Sequence, residues 1–333
     1  SEVLSKTSVT FEKYKMTKYF ILPILCILAC TQNQESENTN QEATGSKASI
    51  IILGTIQDAG SPQIGCQKEC CVDLYDHPDT DRMVSSIGLV DAENENTYLF
   101  DATPDMVAQM EILTSYEKQS EKQLADGIFL THAHIGHYTG LMYLGKESKD
   151  ADSVPLYVMP RMKEFLSSNG PWDQLITRKN VSLKELKHEL PVQLSANITV
   201  TPLLVPHRDE YSETVGYRID GPHKSALYIP DIDKWDKWDR DIIEEIKQVD
   251  YAFIDATFYS GAEMNNRDIG QIPHPFIIES LAKFQDISAT DKSKIIFIHF
   301  NHTNPVIDLN SEESKTVTDQ GFRIARVGDV FEM

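Results

Sequence analysis

Apolar and polar positions alternate along the chain in a way that predicts a layered α/β domain from about residue 49. A β-branched run at 49–56 indicates a buried strand that ends in a loop at Asp58. Two further apolar runs, 85–90 and 97–100, flank a polar turn and are typical of a strand pair. Residues 104–116 carry apolar side chains at helical spacing, which predicts a helix after these strands.

Later apolar runs predict a second group of strands with helices between them. The predicted strands are 127–130, 198–205, 215–219, 226–229, 251–254 and 295–300, and the predicted helices are 239–247 and 275–284. Strands early and late in the chain, with helices between them, favour two sheets covered by helices. We therefore expect a single layered α/β domain over residues 49–333.

The segment 1–48 is expected to lie outside this domain. An apolar stretch at 19–29 is shorter than the ~20 residues of a spanning helix and is typical of a secretory signal. The segment that ends at Cys30 resembles a bacterial lipobox, in which the cysteine is acylated; an ordinary buried helix is the alternative. We predict an N-terminal extension and lipoprotein signal at 1–30, a flexible polar linker at 31–48, and a lipid-anchored protein in a bacterial cell envelope, in the periplasm or at the outer membrane.

The acidic composition limits the classes of molecule that this protein is expected to bind. The chain has 31 basic and 51 acidic residues and a formal net charge of −20, so a nucleic acid would be repelled and is not expected as a partner. Membrane contact is expected only through the lipid anchor. A small-molecule substrate is the expected partner, and the oligomeric state, monomer or homodimer, is left open.

Three histidines give the most specific chemical signal. His132, His134 and His137 follow directly after the apolar run at 127–130. In an extended segment residues i and i+2 point to the same side, so the first two converge, and a turn at Gly136 can bring the third to the same point. This geometry suits metal ligands.

A cysteine trio gives the second signal. Of five cysteines, Cys66, Cys70 and Cys71 fall close together near the start of the domain. An odd number of close cysteines in an exported protein favours a metal over disulfides, with a fourth ligand elsewhere. A Cys70–Cys71 disulfide or free thiols are the alternative, and His77 is one candidate for the fourth ligand because it is near in sequence.

The His-x-His-x-x-His motif after a strand resembles the metallo-β-lactamase superfamily, and local phrases are similar to the pyrroloquinoline-quinone biosynthesis protein B family. These phrases are Gly60-Ser61-Pro62-Gln63, Ser85-Ser86-Ile87, Asp101-Ala102-Thr103-Pro104-Asp105, Asp255-Ala256-Thr257-Phe258 and His299-Phe300-Asn301-His302-Thr303-Asn304-Pro305. The resemblance implies an αββα sandwich that holds one or two metals at a shared edge of its sheets.

The resemblance also implies the ligands of a first metal. His132, His134 and His207 match the three histidines of that site, and Asp231 stands where the superfamily has a carboxylate shared by both metals. Zn²⁺ is the expected ion, with Fe²⁺ as the alternative at this catalytic site.

The second metal site departs from the family pattern. His137 and His299 match its histidines, but Gly136 stands where the motif His-x-His-x-Asp-His has an aspartate. The second metal is therefore expected to bind more weakly, unless Asp233 or Asp255 substitutes for that carboxylate.

Relatives in the phosphodiesterase branch hold a structural zinc with three cysteines and a histidine three residues after a catalytic-site histidine. By this resemblance His302, three residues after His299, becomes the fourth ligand beside the cysteine trio. The relatives have Cys-x-Cys-x2-Cys, whereas this chain has Cys-x3-Cys-Cys.

The segment around His274 matches a lid over the metal edge in the family resembled here. His274, Asp231 and His137 are thus the candidate catalytic residues, with His274 as a substrate contact or general acid.

Metal-dependent hydrolysis is the leading functional hypothesis. A metal held by neutral histidines lowers the pKa of its bound water and supplies a hydroxide nucleophile for an ester, a lactone or a phosphodiester. Oxygen chemistry at Fe²⁺ is the second hypothesis, because the family resembled here is tied to cofactor oxidation. A degenerate binding protein is the third.

Overall fold

Two sheets pack face to face in the part of the chain that the computed structural model describes, residues 48–116, 122–264 and 268–333. The predicted signal, its lipobox cysteine Cys30 and the linker up to residue 47 lie outside these residues. The first strand begins at Ala48, one residue before the expected start of the domain. Its side chains are almost fully buried, as the β-branched run predicts.

The first sheet has seven strands among the described residues. In sheet order they are β14 (Val330–Glu332), β1 (Ala48–Gly54), β2 (Ser86–Asp91), β3 (Asn96–Phe100), β4 (Gly127–Phe129), β5 (Val154–Val158) and β6 (Val181–Glu185). The pairs from β14 to β3 are antiparallel, and those from β3 to β6 are parallel. The parallel half places the carboxyl ends of β3 and β4 side by side.

The second sheet also has seven strands within the described ranges. In sheet order they are β13 (Arg323–Ile324), β12 (Ile295–Ile298), β11 (Tyr251–Asp255), β10 (Ser225–Ile229), β9 (Val215–Asp220), β8 (Ile198–Leu204) and β7 (Val192–Ser195). Strands β10 to β13 run parallel, and β7 to β10 are antiparallel. This parallel half brings together the carboxyl ends of β10, β11 and β12.

Helices cover the outer faces of both sheets. Among the described residues these are α2 (Met106–Thr114), α4 (Pro160–Ser168), α5 (Trp172–Thr177), α6 (Ile242–Lys247), α7 (Ile277–Lys283), α8 (Ala289–Lys294) and α9 (Glu312–Asp319). Two single helical turns, α1 (Glu69–Val72) and α3 (Ile135–Tyr138), lie in loops. Across the described residues, no helix combines the length and the apolar character that crossing a membrane requires. The helices and the two sheets form an αββα sandwich, so the predicted fold class is confirmed.

Three apolar clusters hold these layers together. One lies between the sheets and draws buried side chains from both, and the other two lie between each sheet and its helices. In the central cluster the ring of Phe129 stacks on Phe100 at 4.9 Å and on Tyr157 at 4.2 Å. Close packing of this kind fixes the distance between the sheets, and therefore the positions of the loops at their shared edge.

Sequence patterns missed the short or half-exposed strands. Strand β7 lies at a sheet edge and has no fully buried residue, and β13 has only two residues. Neither segment offers the apolar run on which strand prediction depends. The predicted helix at 239–247 begins only at Ile242, because the Asp241 carboxylate caps it by accepting a hydrogen bond from Ile243 N at 2.9 Å.

The stacked ring of Phe129 provides a test of the central layer. Phe129→Ala removes four aromatic ring contacts and leaves a cavity between the sheets, so the free energy of unfolding should fall by about 3–5 kcal/mol. Denaturant unfolding measures this change. The exposed Leu190, changed to alanine, should alter stability by less than about 0.5 kcal/mol. A similar effect of the two substitutions would contradict the packing described here.

Candidate metal centre at the sheet edge

Strand ends position the histidine motif. His132 and His134 lie in the extended segment after β4, and helix α3 begins immediately after His134. This single helical turn carries His137 back towards the first two histidines, so that the ring centroids of His132 and His137 are 4.2 Å apart. The motif therefore folds as its spacing predicts.

A first group of donor atoms contains the four residues expected for the first metal. His132 Nε2 and His207 Nε2 lie 3.3 and 3.2 Å from Asp231 Oδ2, and His134 Nδ1 lies 3.9 Å from the same oxygen. Their ligand atoms all fall within 4.8 Å of one another. A tetrahedral ion with bonds of about 2.0–2.1 Å holds neighbouring ligand atoms about 3.3 Å apart, so these spacings fit a metal.

The hydrogen bonds of this group also fit a metal. Among the described residues, His132 Nε2 and both ring nitrogens of His207 are buried without a hydrogen-bond partner. Burying polar atoms without partners is costly, and a bound cation removes that cost for His132 Nε2 and for one ring nitrogen of His207, because each offers it a lone pair. The donor set, three imidazoles and a carboxylate, matches the chemistry of zinc and of Fe²⁺.

Neighbouring groups fix the ring tautomers. Thr131 Oγ1 donates to the Asp101 carboxylate at 2.9 Å and accepts from His132 Nδ1 at 3.0 Å, which leaves His132 Nε2 with its lone pair. Glu210 Oε2 accepts from His134 Nε2 at 3.1 Å and leaves Nδ1 facing Asp231. Burial and the nearby His137 hold the pKa of His132 well below its usual value, which keeps this ring neutral.

A second group combines His137, His299 and Asp231 with a carboxylate that the motif did not predict. Gly136 predicts one carboxylate fewer here, but Asp58 fills the gap from the loop after β1. Asp58 Oδ1 lies 3.0 Å from His137 Nε2 and 3.3 Å from His299 Nε2. The expectation of a weak second site rested on a missing carboxylate, and Asp58 supplies one. The affinity of this second group for a metal stays a prediction.

Two carboxylates orient the histidines of the second group, one directly and one through a threonine. Asp101 Oδ2 accepts from His137 Nδ1 at 2.7 Å. Thr257 Oγ1 donates to Asp255 Oδ1 at 2.7 Å and accepts from His299 Nδ1 at 2.9 Å. Each bond directs the Nε2 lone pair towards Asp58, as expected for histidines that bind a metal.

Neither proposed substitute for the missing carboxylate belongs to the group of Asp58, His137, Asp231 and His299. Asp233 binds Lys237 Nζ at 2.7 Å and lies outside the donor groups found in the described residues. Asp255 is in reach of His299 and His274, but its oxygens already accept from two backbone N–H groups and from Thr257. Asp255 therefore orients its neighbours, and with Asp231, His274 and His299 it forms a further set of donor atoms that lie within 4.8 Å of one another.

His274 lies beside both groups. Its Nδ1 is 3.1 Å from Asp231 Oδ1 and 2.9 Å from Asp255 Oδ2, and its side chain is 11% exposed. Burial lowers the pKa of His274, but the charges of Asp255 and Asp231 outweigh burial and raise the pKa to about 10. The structure thus places the predicted general acid at the metal edge, in contact with solvent.

The cysteine trio and His302 form a separate group. Their ligand atoms lie within 4.8 Å of one another, and the rival His77 is not among them. The sulfurs of Cys70 and Cys71 are 3.8 Å apart, which excludes a disulfide in this structure, and a tetrahedral zinc with bonds of about 2.3 Å would hold two sulfurs about 3.8 Å apart. The arrangement fits a closed zinc site of three thiolates and one imidazole.

Electrostatics in this group favour a cation. Burial and the neighbouring thiols of Cys71 and Cys66 raise the pKa of Cys70 to about 12, because several thiolates repel one another without a metal. Burial and the charge of Lys68 lower the pKa of His302, which keeps its ring neutral. His302 Nδ1 donates to Asn301 Oδ1 at 3.2 Å, so Nε2 retains its lone pair.

Sequence patterns missed Asp58, Asp101 and Thr257. Each follows closely after a predicted strand, the position from which side chains reach the edge of a sheet. Asp101 and His299 also have positive φ, 67° and 70°, which is rare for residues with a side chain and common at functional sites. Position after a strand is the signal that could have found Asp58 and Asp101.

Removing two histidines tests the first group. The double variant His132→Ala with His134→Ala should lose the metal of the first group, because only two of its four donors remain. Metal analysis of purified protein measures this loss. The exposed pair His188 and His223, both changed to alanine, should leave metal content unaltered. Unaltered metal in the first double variant would refute the ligand assignment.

Replacing one cysteine of the trio tests the proposed zinc site. Cys66→Ser should release one metal ion and lower the melting temperature, because the binding free energy of a structural zinc contributes directly to folding. Metal analysis and thermal unfolding check both effects. His77→Ala serves as the control and should keep the ion. Retention of the ion by Cys66→Ser, or its loss from His77→Ala, would contradict the assignment.

Comparisons with known proteins identify the fold and the family of this chain. The coenzyme PQQ synthesis protein B of Methylorubrum extorquens strain PA1 is 24% identical over 301 residues, which cover 84% of this chain and 98% of that protein. The crystal structure of Zn²⁺-bound PqqB from Methylobacterium extorquens has a TM-score of 0.70 at 23% identity, covering 86% of this chain and all of the other. A diphosphatase of the PhnP family has a TM-score of 0.60 at 23% identity, with 86% and 97% covered.

These likenesses to solved structures show a common fold. The family model described as Beta-lactamase superfamily domain matches residues 96–300, which is more than half of the chain and includes all the histidines of both groups. The resemblance predicted from the histidine motif and the local phrases is therefore confirmed. This chain belongs to the β-lactamase superfamily and is similar to coenzyme PQQ synthesis protein B.

Proposed function

We propose that this protein is a metal-dependent hydrolase that cleaves an ester-type bond, in a carboxylic ester, a lactone or a phosphodiester. The observation that carries the proposal is the pair of donor groups that share Asp231 beside His274. A divalent metal bound there would supply a hydroxide at neutral pH and polarise the substrate oxygen. Zn²⁺ is the proposed ion, supported by the donor set and by the zinc-bound PqqB structure of the same fold.

The protein's own residues have distinct parts in this proposal. The three histidines of the first group would bind a metal through the atoms that face Asp231, which are His132 Nε2, His134 Nδ1 and His207 Nε2. Hydrogen bonds at the other ring nitrogens of His132 and His134 leave a lone pair on these metal-facing atoms. Asp231 holds both groups together with one buried carboxylate. Its charge would stabilise a cation bound in either group, and ions held there would bring nucleophile and substrate close to each other.

His274 is proposed as the general acid. Its Nδ1 is occupied by the carboxylates of Asp231 and Asp255, so a proton can pass to a leaving group only from Nε2. The exposed fraction of the side chain allows water to return that proton. The segment that carries His274 is tied down at Ile277, whose N–H donates to Phe258 O at 2.9 Å.

One experiment separates hydrolysis from oxygen chemistry. Purified protein is analysed for metals and then assayed with an ester, a lactone and a phosphodiester, in air and without oxygen. Hydrolysis of any of these with equal rates in both atmospheres is the expected result. Turnover that consumes dioxygen would replace the proposal by the Fe²⁺ oxygen chemistry, and inactivity of the zinc-loaded protein towards the whole panel would refute it.

Leaving-group dependence tests His274. His274→Ala should lower kcat by about 10²–10⁴ for substrates whose leaving group needs a proton, and by far less for a p-nitrophenyl ester or phosphodiester. The kcat values of both substrate classes measure this contrast. His223→Ala, at an exposed histidine, is the control and should alter neither. An equal loss for both classes would show that His274 holds the site together rather than donating a proton.

A further inference from the structure

Gly136 and Asp58 lie closer together than any side chain at position 136 would allow. A Cβ atom built on Gly136 would lie 2.5 Å from the Cα of Asp58 and 2.8 Å from its Cβ and Cγ. Real Cβ contacts are essentially never shorter than 3.0 Å, and backbone atoms cannot rotate away. Gly136 lies in helix α3 without a positive φ, so its backbone conformation does not require glycine. The requirement comes from the approach of Asp58.

This close approach delivers the Asp58 carboxylate to two histidines at once. Its Oδ1 lies 3.0 Å from His137 Nε2 and 3.3 Å from His299 Nε2. Asp101 and Thr257 hold the Nδ1 atoms of these two rings, so both Nε2 lone pairs face the carboxylate oxygen. At such distances each nitrogen shares either a proton or a metal ion with the carboxylate oxygen, so a metal that binds here takes the place of protons on Nε2.

Backbone hydrogen bonds hold Asp58 in this place. Gln57 N donates to Phe300 O at 2.9 Å, and Phe300 N donates to Thr55 O at 2.7 Å. The chain before Asp58 is thus paired with the residue that follows His299. Because Ile56 also bridges to Val84, the loop is tied to both sheets.

We propose that Asp58 is a ligand of a second metal ion, together with His137, His299 and the shared Asp231, and that Gly136 is the steric condition for this ligand. The second ion then has two carboxylates and two imidazoles, a donor set that suits Zn²⁺ or Fe²⁺. Its added carboxylate comes from the loop after β1, far ahead of the histidine motif along the chain. This inference concerns metal binding and does not depend on which bond the protein cleaves.

Titration of the metal-free full chain with Co²⁺ tests the ligand. Thiolate charge-transfer absorption reports the cysteine site, and the weaker d–d bands report the two sites at the sheet edge. Asp58→Asn should weaken one edge site by more than the ~10–100-fold that loss of an outer hydrogen-bond partner causes, with the cysteine site unaltered. Asp239→Asn, at an exposed aspartate, is the matched control and should bind like the parent protein.

A second variant tests the role of the glycine. Gly136→Ala removes no donor atom but displaces the Asp58 backbone, so it should weaken the same site by about tenfold or more. Gly170→Ala, where the nearest atom to the added Cβ is 3.6 Å away, controls for the substitution itself. Circular dichroism establishes that each variant is folded.

The outcomes decide the proposal. Parent-like Co²⁺ affinity at both edge sites in Asp58→Asn would overturn the proposal. A parent protein that binds a single Co²⁺ ion at the sheet edge, instead of two, would also overturn it. Parent-like affinity in Gly136→Ala would overturn the steric condition. If either variant fails to fold, anomalous diffraction from zinc-loaded parent crystals gives the answer, since an ion contacted by Asp58 Oδ1 supports the proposal and an ion without that contact refutes it. None of these measurements involves turnover, so they fail or succeed independently of the hydrolase proposal.

Discussion

The candidate centre depends on one buried carboxylate. Asp231 is 2% exposed, and five histidines from three separate segments come within 4 Å of its two oxygens. An ionised carboxylate in such a place is stable only when positive charge surrounds it. Burial by itself raises the pKa of Asp231, but the charges of His207 and His274 outweigh burial and hold the pKa well below its usual range. The carboxylate stays charged, and the loops of both sheets assemble around that charge.

Two matching arrangements support the histidines around this carboxylate. Asp101, Thr131 and His132 form one, and Asp255, Thr257 and His299 form the other, each with a hydroxyl that donates to the carboxylate and accepts from a ring Nδ1. Each lies at the ends of two neighbouring parallel strands, β3 and β4 in the first sheet and β11 and β12 in the second. Both include a residue with positive φ, Asp101 or His299, so local backbone strain is part of the way these side chains are aimed. Rigid support of this kind fixes ligand directions before a metal binds.

Two segments contribute to both the edge groups and the cysteine group. The segment between β1 and β2 carries Asp58 and then the cysteine trio. The segment after β12 carries His299 and then His302. A zinc in the cysteine site would therefore cross-link the same two segments that meet at Asp58 and His299. The closed site and the open edge thus share one structural framework.

The sequence by itself determined the fold class and most of the candidate donors. Strongly apolar runs have few alternatives to burial, so the strands at 49–56 and 251–254 were predictable, and the spacing of His132, His134 and His137 limits where their side chains can point. The other expected donors, His207, Asp231, His299 and the cysteines' partner His302, followed from family resemblance and not from spacing. Local pattern also failed for β7, because an edge strand that buries little carries little hydrophobic signal.

Only the tertiary structure decided where the second carboxylate comes from. Gly136 in the histidine motif indicates that a carboxylate ligand is absent. Nothing in the local sequence shows that a loop from the start of the domain brings Asp58 to the same point. Asp58 arrives there because Gln57 pairs with Phe300 across the two sheets, a contact that depends on sheet packing. A motif fixes the directions of neighbouring side chains, whereas long-range backbone pairing fixes which distant side chain fills the remaining space.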